Sequence, residues 1–146
     1  MAPPKRVLLD DRLLIEELLV GLPARRVTLH TTAYWYYRAC RAAVLGAGGH
    51  LSGPFAELGQ SDQARAVLNL LELRDDVALP DPRSTVPAMV AVAGRHPRLN
   101  LLNLEAVAAG RALHATLWLS SETTAGVLPA VLDAEGVRWK TVEISN

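Results

Sequence analysis

Apolar and polar positions along this chain change period several times, and each change marks an element. Arg6-Val7-Leu8-Leu9-Asp10 is a short apolar run closed by an acid, the pattern of a strand buried on both faces. From Asp11 the period becomes helical: Leu14 and Leu18 share a face, as do Ile15 and Leu19, while Glu16 and Glu17 point elsewhere. Asp10 or Asp11 can cap this helix, and Gly21 followed by Pro23 ends it. Val27-Thr28-Leu29-His30 reads as a second strand, with Thr31 and Thr32 able to cap a helix carrying Tyr34 through Arg41.

Beyond a glycine-rich stretch from Gly46 to Pro54, Ser61 opens a helix with Ala64, Val67, Leu68 and Leu71 on one face. Val77-Ala78-Leu79-Pro80 is a third strand, and Pro87 suits the first turn of a helix over Ala88–Ala93. Asn103 can cap a helix from Leu104 to His114, whose Ala106, Ala109 and Gly110 imply close approach to a sheet. Thr116–Ser120 is a fourth strand, Ala125–Ala134 a further helix, and Val137–Ile144 an alternating edge strand. Strands and helices alternate, apart from one two-helix stretch in the middle. This predicts an α/β chain: a three-layer α/β/α fold around a central, mostly parallel sheet of four to five strands. Ligands of such sheets gather at the carboxyl ends of the strands.

Composition narrows the classes. The chain has 146 residues, one domain over 1–146 with room for a core, and 50% apolar against 21% charged residues excludes disorder. Fifteen basic residues balance fifteen acidic ones, so the footprint of a general nucleic-acid binder is missing. Cys40 is the only cysteine, which excludes an intrachain disulfide and a cysteine zinc cluster. No apolar run approaches the roughly 18 residues of a membrane span. Met1–Arg6 leads directly into charged sequence, so the expected location is cytoplasmic, with no membrane partner.

Three acids occupy carboxyl-end positions. Asp10 ends the first strand, Glu122 follows Ser120-Ser121 after the fourth, and Glu105 opens the helix leading into that strand. Converging carboxylates repel one another and attract a hard cation; Mg²⁺ or Mn²⁺ held there could activate water against a phosphodiester. The bland alternative is that Asp10 or Asp11 caps its helix, Glu105 favours a helix dipole and Glu122 is solvated.

The order and spacing of Val7-Leu8-Leu9-Asp10, Glu105-Ala106-Val107-Ala108-Ala109 and Leu117-Trp118-Leu119-Ser120-Ser121-Glu122 resemble a PIN domain over nearly the whole chain. The family's small members include endoribonuclease toxins of VapC type. The resemblance implies a parallel sheet between helices and metal-dependent RNA cleavage, with Asp10, Glu105 and Glu122 as catalytic and Mg²⁺- or Mn²⁺-binding residues. It places Asp11 where a threonine or serine is usual, Ser120 or Ser121 at the family's threonine or serine, and Glu122 at its last aspartate. The family's glutamate should fall near Tyr37 or Arg38, yet no acid occurs between Glu17 and Glu57. Arg38 could instead bring a positive charge and pair with one of the carboxylates; equally, it could lie on the outer face near Arg41.

Tyr34-Trp35-Tyr36-Tyr37 crowds all three tyrosines and one of three tryptophans onto a single turn. Either some of these rings meet a partner chain, or two enter the core and two sit at the surface. A homodimer or an antitoxin-like protein is the expected partner, with RNA added if the chain is active. The histidines at 30, 50, 96 and 114 share no ligand spacing. The serines and threonines near Ser120 lack a paired His and Asp motif. Two functions follow. One is a toxin-like, metal-dependent endoribonuclease with a degraded acidic site; the other is a non-catalytic PIN-like binding module acting through dimerisation or a protein partner.

Overall fold

A computed structural model describes residues 3–22, 26–46 and 59–144. Within them five strands and seven helices run in the order β1 (Lys5–Leu9), α1 (Asp11–Leu19), β2 (Val27–Thr31), α2 (Ala33–Gly46), α3 (Gln60–Leu71), β3 (Val77–Ala78), α4 (Pro82–Arg95), α5 (Leu101–Leu113), β4 (Thr116–Leu119), α6 (Ser121–Thr124), α7 (Leu128–Ala134) and β5 (Trp139–Thr141). The strands make one sheet in the order β3-β2-β1-β4-β5, with every neighbouring pair parallel. This is the expected α/β/α architecture. No helix among the described residues is long and apolar enough to cross a membrane. Pro23, Arg25, His50 and most of the glycine-rich stretch lie outside the described residues.

β1 occupies the centre, with Leu8 registered against His30 on one side and Leu117 on the other. Its alternation feeds both layers. Val7 and Leu9 pack with Leu13, Leu14, Leu29 and Leu70, on the side of α1 and α3. Leu8 joins Val107, Leu117 and Leu132, on the side of α5 and α7. All three β1 side chains are buried, each contributing on the order of 1.5–3 kcal/mol. The small residues of α5 do what the sequence implies. Ala106, Ala108, Ala109 and Gly110 are buried, and a Cβ on Gly110 would come within 2.7 Å of Leu117 Cδ1 and 3.0 Å of Val137 Cγ1.

Several boundaries differ from the sequence pattern. α4 begins at Pro82, capped by Asp81, and carries Pro87 in its interior. Pro82, not Pro87, holds the first-turn position that tolerates a missing N–H. α5 is capped by Asn100, whose side chain accepts from the Asn103 N–H, so Glu105 lies in its second turn and does not open it. The helix expected over 125–134 is two pieces, α6 and α7, and the last strand shortens to Trp139–Thr141. Among the described residues three helix pairs, α2–α3, α4–α5 and α6–α7, follow each other without an intervening strand, where the pattern suggests one two-helix stretch.

The layer of α4, α5 and α7 is closed by one acid. Glu135, at the end of α7, accepts from Arg95 through Nε at 2.9 Å and Nη2 at 2.7 Å. It also accepts from Arg111 Nη1 at 2.7 Å and meets His96 Nε2 at 2.9 Å. The Arg95 hydrogen bonds, then His96 and the charges of both arginines, outweigh desolvation and hold the carboxyl at about 2, against an ordinary 4.5. A folded-state value below the unfolded one gives stability that is complete above about 4.5 and is lost as pH falls toward 2. Chemical denaturation from pH 6 to pH 2 should therefore show wild type above Glu135→Gln at pH 6 and the two curves converging toward pH 2. Curves that stay parallel would show that this proton is not linked to folding.

Candidate functional site

Asp10 leaves the carboxyl end of β1 with extended backbone and caps α1. Its Oδ1 accepts from the Leu13 N–H at 2.9 Å. Its Oδ2 accepts from the Ser120 N–H at 2.8 Å, the Ser120 hydroxyl at 2.6 Å and the Thr123 hydroxyl at 2.6 Å. A carboxylate offers about two lone-pair positions per oxygen, so Oδ2 of this fully buried side chain is filled by three protein donors while Oδ1 holds one. Ser120 and Thr123 belong to the β4–α6 junction, which the parallel pairing of β1 with β4 sets beside Asp10.

Glu105 reaches the same end of the sheet from α5 and serves another purpose. Its Oε2 accepts from the Ala33 N–H at 3.0 Å and its Oε1 from the Tyr34 N–H at 2.8 Å. The Thr32 hydroxyl takes the next N–H, that of Trp35, at 3.0 Å. The first turn of α2 is thus satisfied by a buried acid 71–72 residues away plus a local threonine cap. A negative charge there also complements the helix dipole. Thr31 has a different task, donating its hydroxyl to Leu9 O.

Glu122 stands apart from both. Its side chain is 55% exposed, with Arg12 Nε 3.6 Å away and the Ser121 hydroxyl at 3.4 Å. Its own backbone N–H, then Arg12 and the neighbouring serines, lower its carboxyl below the usual range. Asp11, the first residue of α1, meets Arg38 Nε at 3.3 Å. Burial and then the Asp10 charge push the Asp11 carboxyl up, and Arg38 pulls it back. Arg38 therefore enters the pocket, and its partner is Asp11.

All three acids singled out in the sequence lie at the carboxyl end of the sheet, but each faces its own partners. Among the described residues no three His, Cys, Asp or Glu side chains gather as a metal site. What opens to solvent is a cleft of about 230 Å³ whose lining includes Asp11, Arg12, Trp35, Arg38, Asn103 and Glu122. Nothing in the sequence pattern points Trp35, Asn100 or Asn103 to this cleft: Trp35 reads as part of an aromatic run and Asn103 as a helix start. Thr123, one of the hydroxyls near Ser120 that lack a paired His and Asp motif, is a donor to Asp10. The aromatic turn divides two and two: Trp35 is buried and Tyr36 donates to Leu71 O, while Tyr34 and Tyr37 face solvent.

No protein-family model matches the chain, and no curated protein is similar to it.

Replacing Asp10 tests its role as a joint. Asp10→Ala strands the buried Ser120 and Leu13 N–H groups and removes a helix cap, costing about 4 kcal/mol. Asp10→Asn, which turns an NH₂ toward donors only, costs about 2 kcal/mol. Denaturant midpoints check both; a cost below about 0.5 kcal/mol for the alanine variant would show that the network does not hold the fold.

Proposed function

We propose that this chain is a PIN-like domain working as a protein-binding module, not as a ribonuclease. The observation that carries this reading is the complete burial of Asp10 among four protein donors, three of them on Oδ2. An ion held by Asp10, Glu105 and Glu122 would need free carboxylate oxygens within one octahedral shell of about 2.0–2.1 Å radius. The donor set does not suit that. Asp10 is buried with its Oδ2 filled, both Glu105 oxygens hold α2, and Glu122 leans on Arg12. No catalytic step is assigned to Mg²⁺ or Mn²⁺ here.

The size and lining of the cleft favour a protein ligand. At about 230 Å³ it falls below the 300–1,000 Å³ range typical of small-molecule pockets, and it suits one or two side chains of a partner. Its paired charges and asparagine amides offer both donors and acceptors. Leu101, Val127, Tyr34 and Tyr37 are exposed apolar groups at the same end of the sheet or along α2, residue types favoured at interfaces. The occupant we assign is a second copy of the chain, with an antitoxin-like protein as the other candidate of the same chemical kind.

Two measurements test the reading. Purified protein titrated with Mn²⁺ by calorimetry should give no Asp10-dependent heat and should leave RNA intact with the ion present. Metal-dependent cleavage abolished by Asp10→Asn, in a variant shown to be folded, would overturn it. Sedimentation velocity should show self-association, weakened about tenfold by Tyr37→Glu, a change at an exposed position 61% open to solvent. A wild-type monomer at all concentrations would remove the second-copy assignment.

A further inference from the structure

A second cleft lies at the opposite, amino end of the sheet, and it differs in kind. Its volume is about 610 Å³, inside the range of small-molecule sites. Lys5 and Arg6 enter from β1, Arg111 and His114 from the end of α5, and Arg138 from the turn into β5. The buried Ala115 and Val137 contribute to the lining, with Gly110 and Gly136 beside them. In a chain whose formal charge sums to zero, four permanent cations meet one carboxylate, Glu135.

That carboxylate is already spent. Glu135 is held by Arg95, His96 and Arg111, so Lys5, Arg6 and Arg138 have no acid partner among the described residues. The bland account is that these cations neutralise the helices ending here. α5 and α7 together present about one unit of negative charge at their carboxyl termini. Arg6 does serve that purpose, donating from Nη1 to Leu113 O at 3.0 Å. One unit does not balance a surplus of three.

We propose that this cleft binds a small ligand carrying two or more phosphate groups. Arginine forks match phosphate oxygens in two-point hydrogen bonds, and several cations side by side favour a ligand of high charge density over a lone carboxylate. The cleft's volume, and a remainder of the chain that carries the balancing negative charge, favour a small molecule. A nucleic-acid backbone calls for a basic stripe along a face. His114 adds a local argument. It sits in left-handed backbone at φ 51°, a conformation that glycine or asparagine supplies at lower cost at a helix end. The imidazole thus stands on the rim of the cleft at a position where the backbone is strained, which is where a ligand contact would be placed.

The inference is independent of the binding face at the carboxyl end, and so is its test. Full-length protein titrated with inorganic triphosphate by calorimetry at low salt should bind it, with affinity falling as salt rises. Arg6→Ala/Arg138→Ala should weaken binding at least tenfold, whereas Arg65→Ala, an exposed arginine on α3, should leave it unchanged. His114→Gly should raise the melting temperature while weakening binding, a pair of effects that a purely structural histidine would not give. Absence of binding by wild type would overturn the proposal, and so would equal weakening by Arg65→Ala. Tighter binding of a single-stranded oligonucleotide than of triphosphate, lost in the same double variant, would overturn the small-ligand assignment in favour of nucleic acid.

Discussion

One buried carboxylate ties together the elements on which the architecture turns. Removing the Asp10 charge from water costs several kcal/mol unless donors replace the lost solvent. Here they come from α1, from the β4–α6 junction and from Thr123. Because β1 is the middle strand of a parallel sheet, its carboxyl end is where one helix departs and the neighbouring strand also finishes. An acid at that point can serve both neighbours at once. The same placement takes Asp10 out of the solvent-facing chemistry.

Glu105 and Glu135 repeat this logic at other seams. Glu105 bridges from α5 to the first turn of α2, and Glu135 gathers α4 and α5 onto the end of α7. In each case a carboxylate with several acceptor positions joins elements that cannot hydrogen-bond each other through their backbones. A zero formal charge therefore conceals a segregated distribution. At the carboxyl end of the sheet, acids and arginines stand in pairs. At the amino end cations outnumber the one acid beside them. The two ends present different chemistry, a small mixed-charge cleft and a larger cationic one, and this difference underlies the separate assignments made to them.

The secondary structure was largely legible because it is local. Strand β1 buried on both faces, the acidic cap of α1, the close-packed small face of α5 and the parallel α/β plan all follow from period, caps and residue size. The errors have local causes as well. Pro87 and Asn103 each resemble a helix start, and each is preceded by a residue that fills that position better, Pro82 with Asp81 and Asn100. The shared location of Asp10, Glu105 and Glu122 at one end of the sheet was also readable, since it depends only on which elements they terminate or open.

Where those side chains point was not. By itself the sequence determined the element types, the central apolar strand and the end of the sheet to which its acids belong, because backbone periodicity and capping act over a few residues. Only the tertiary structure decided that Glu105 grips α2, that Asp10 is filled by Ser120 and Thr123, and that Lys5, Arg6, Arg111 and Arg138 share one cleft. Those meetings join residues from about 70 to more than 130 positions apart. They depend on how helices settle against the sheet, which no spacing along the chain encodes.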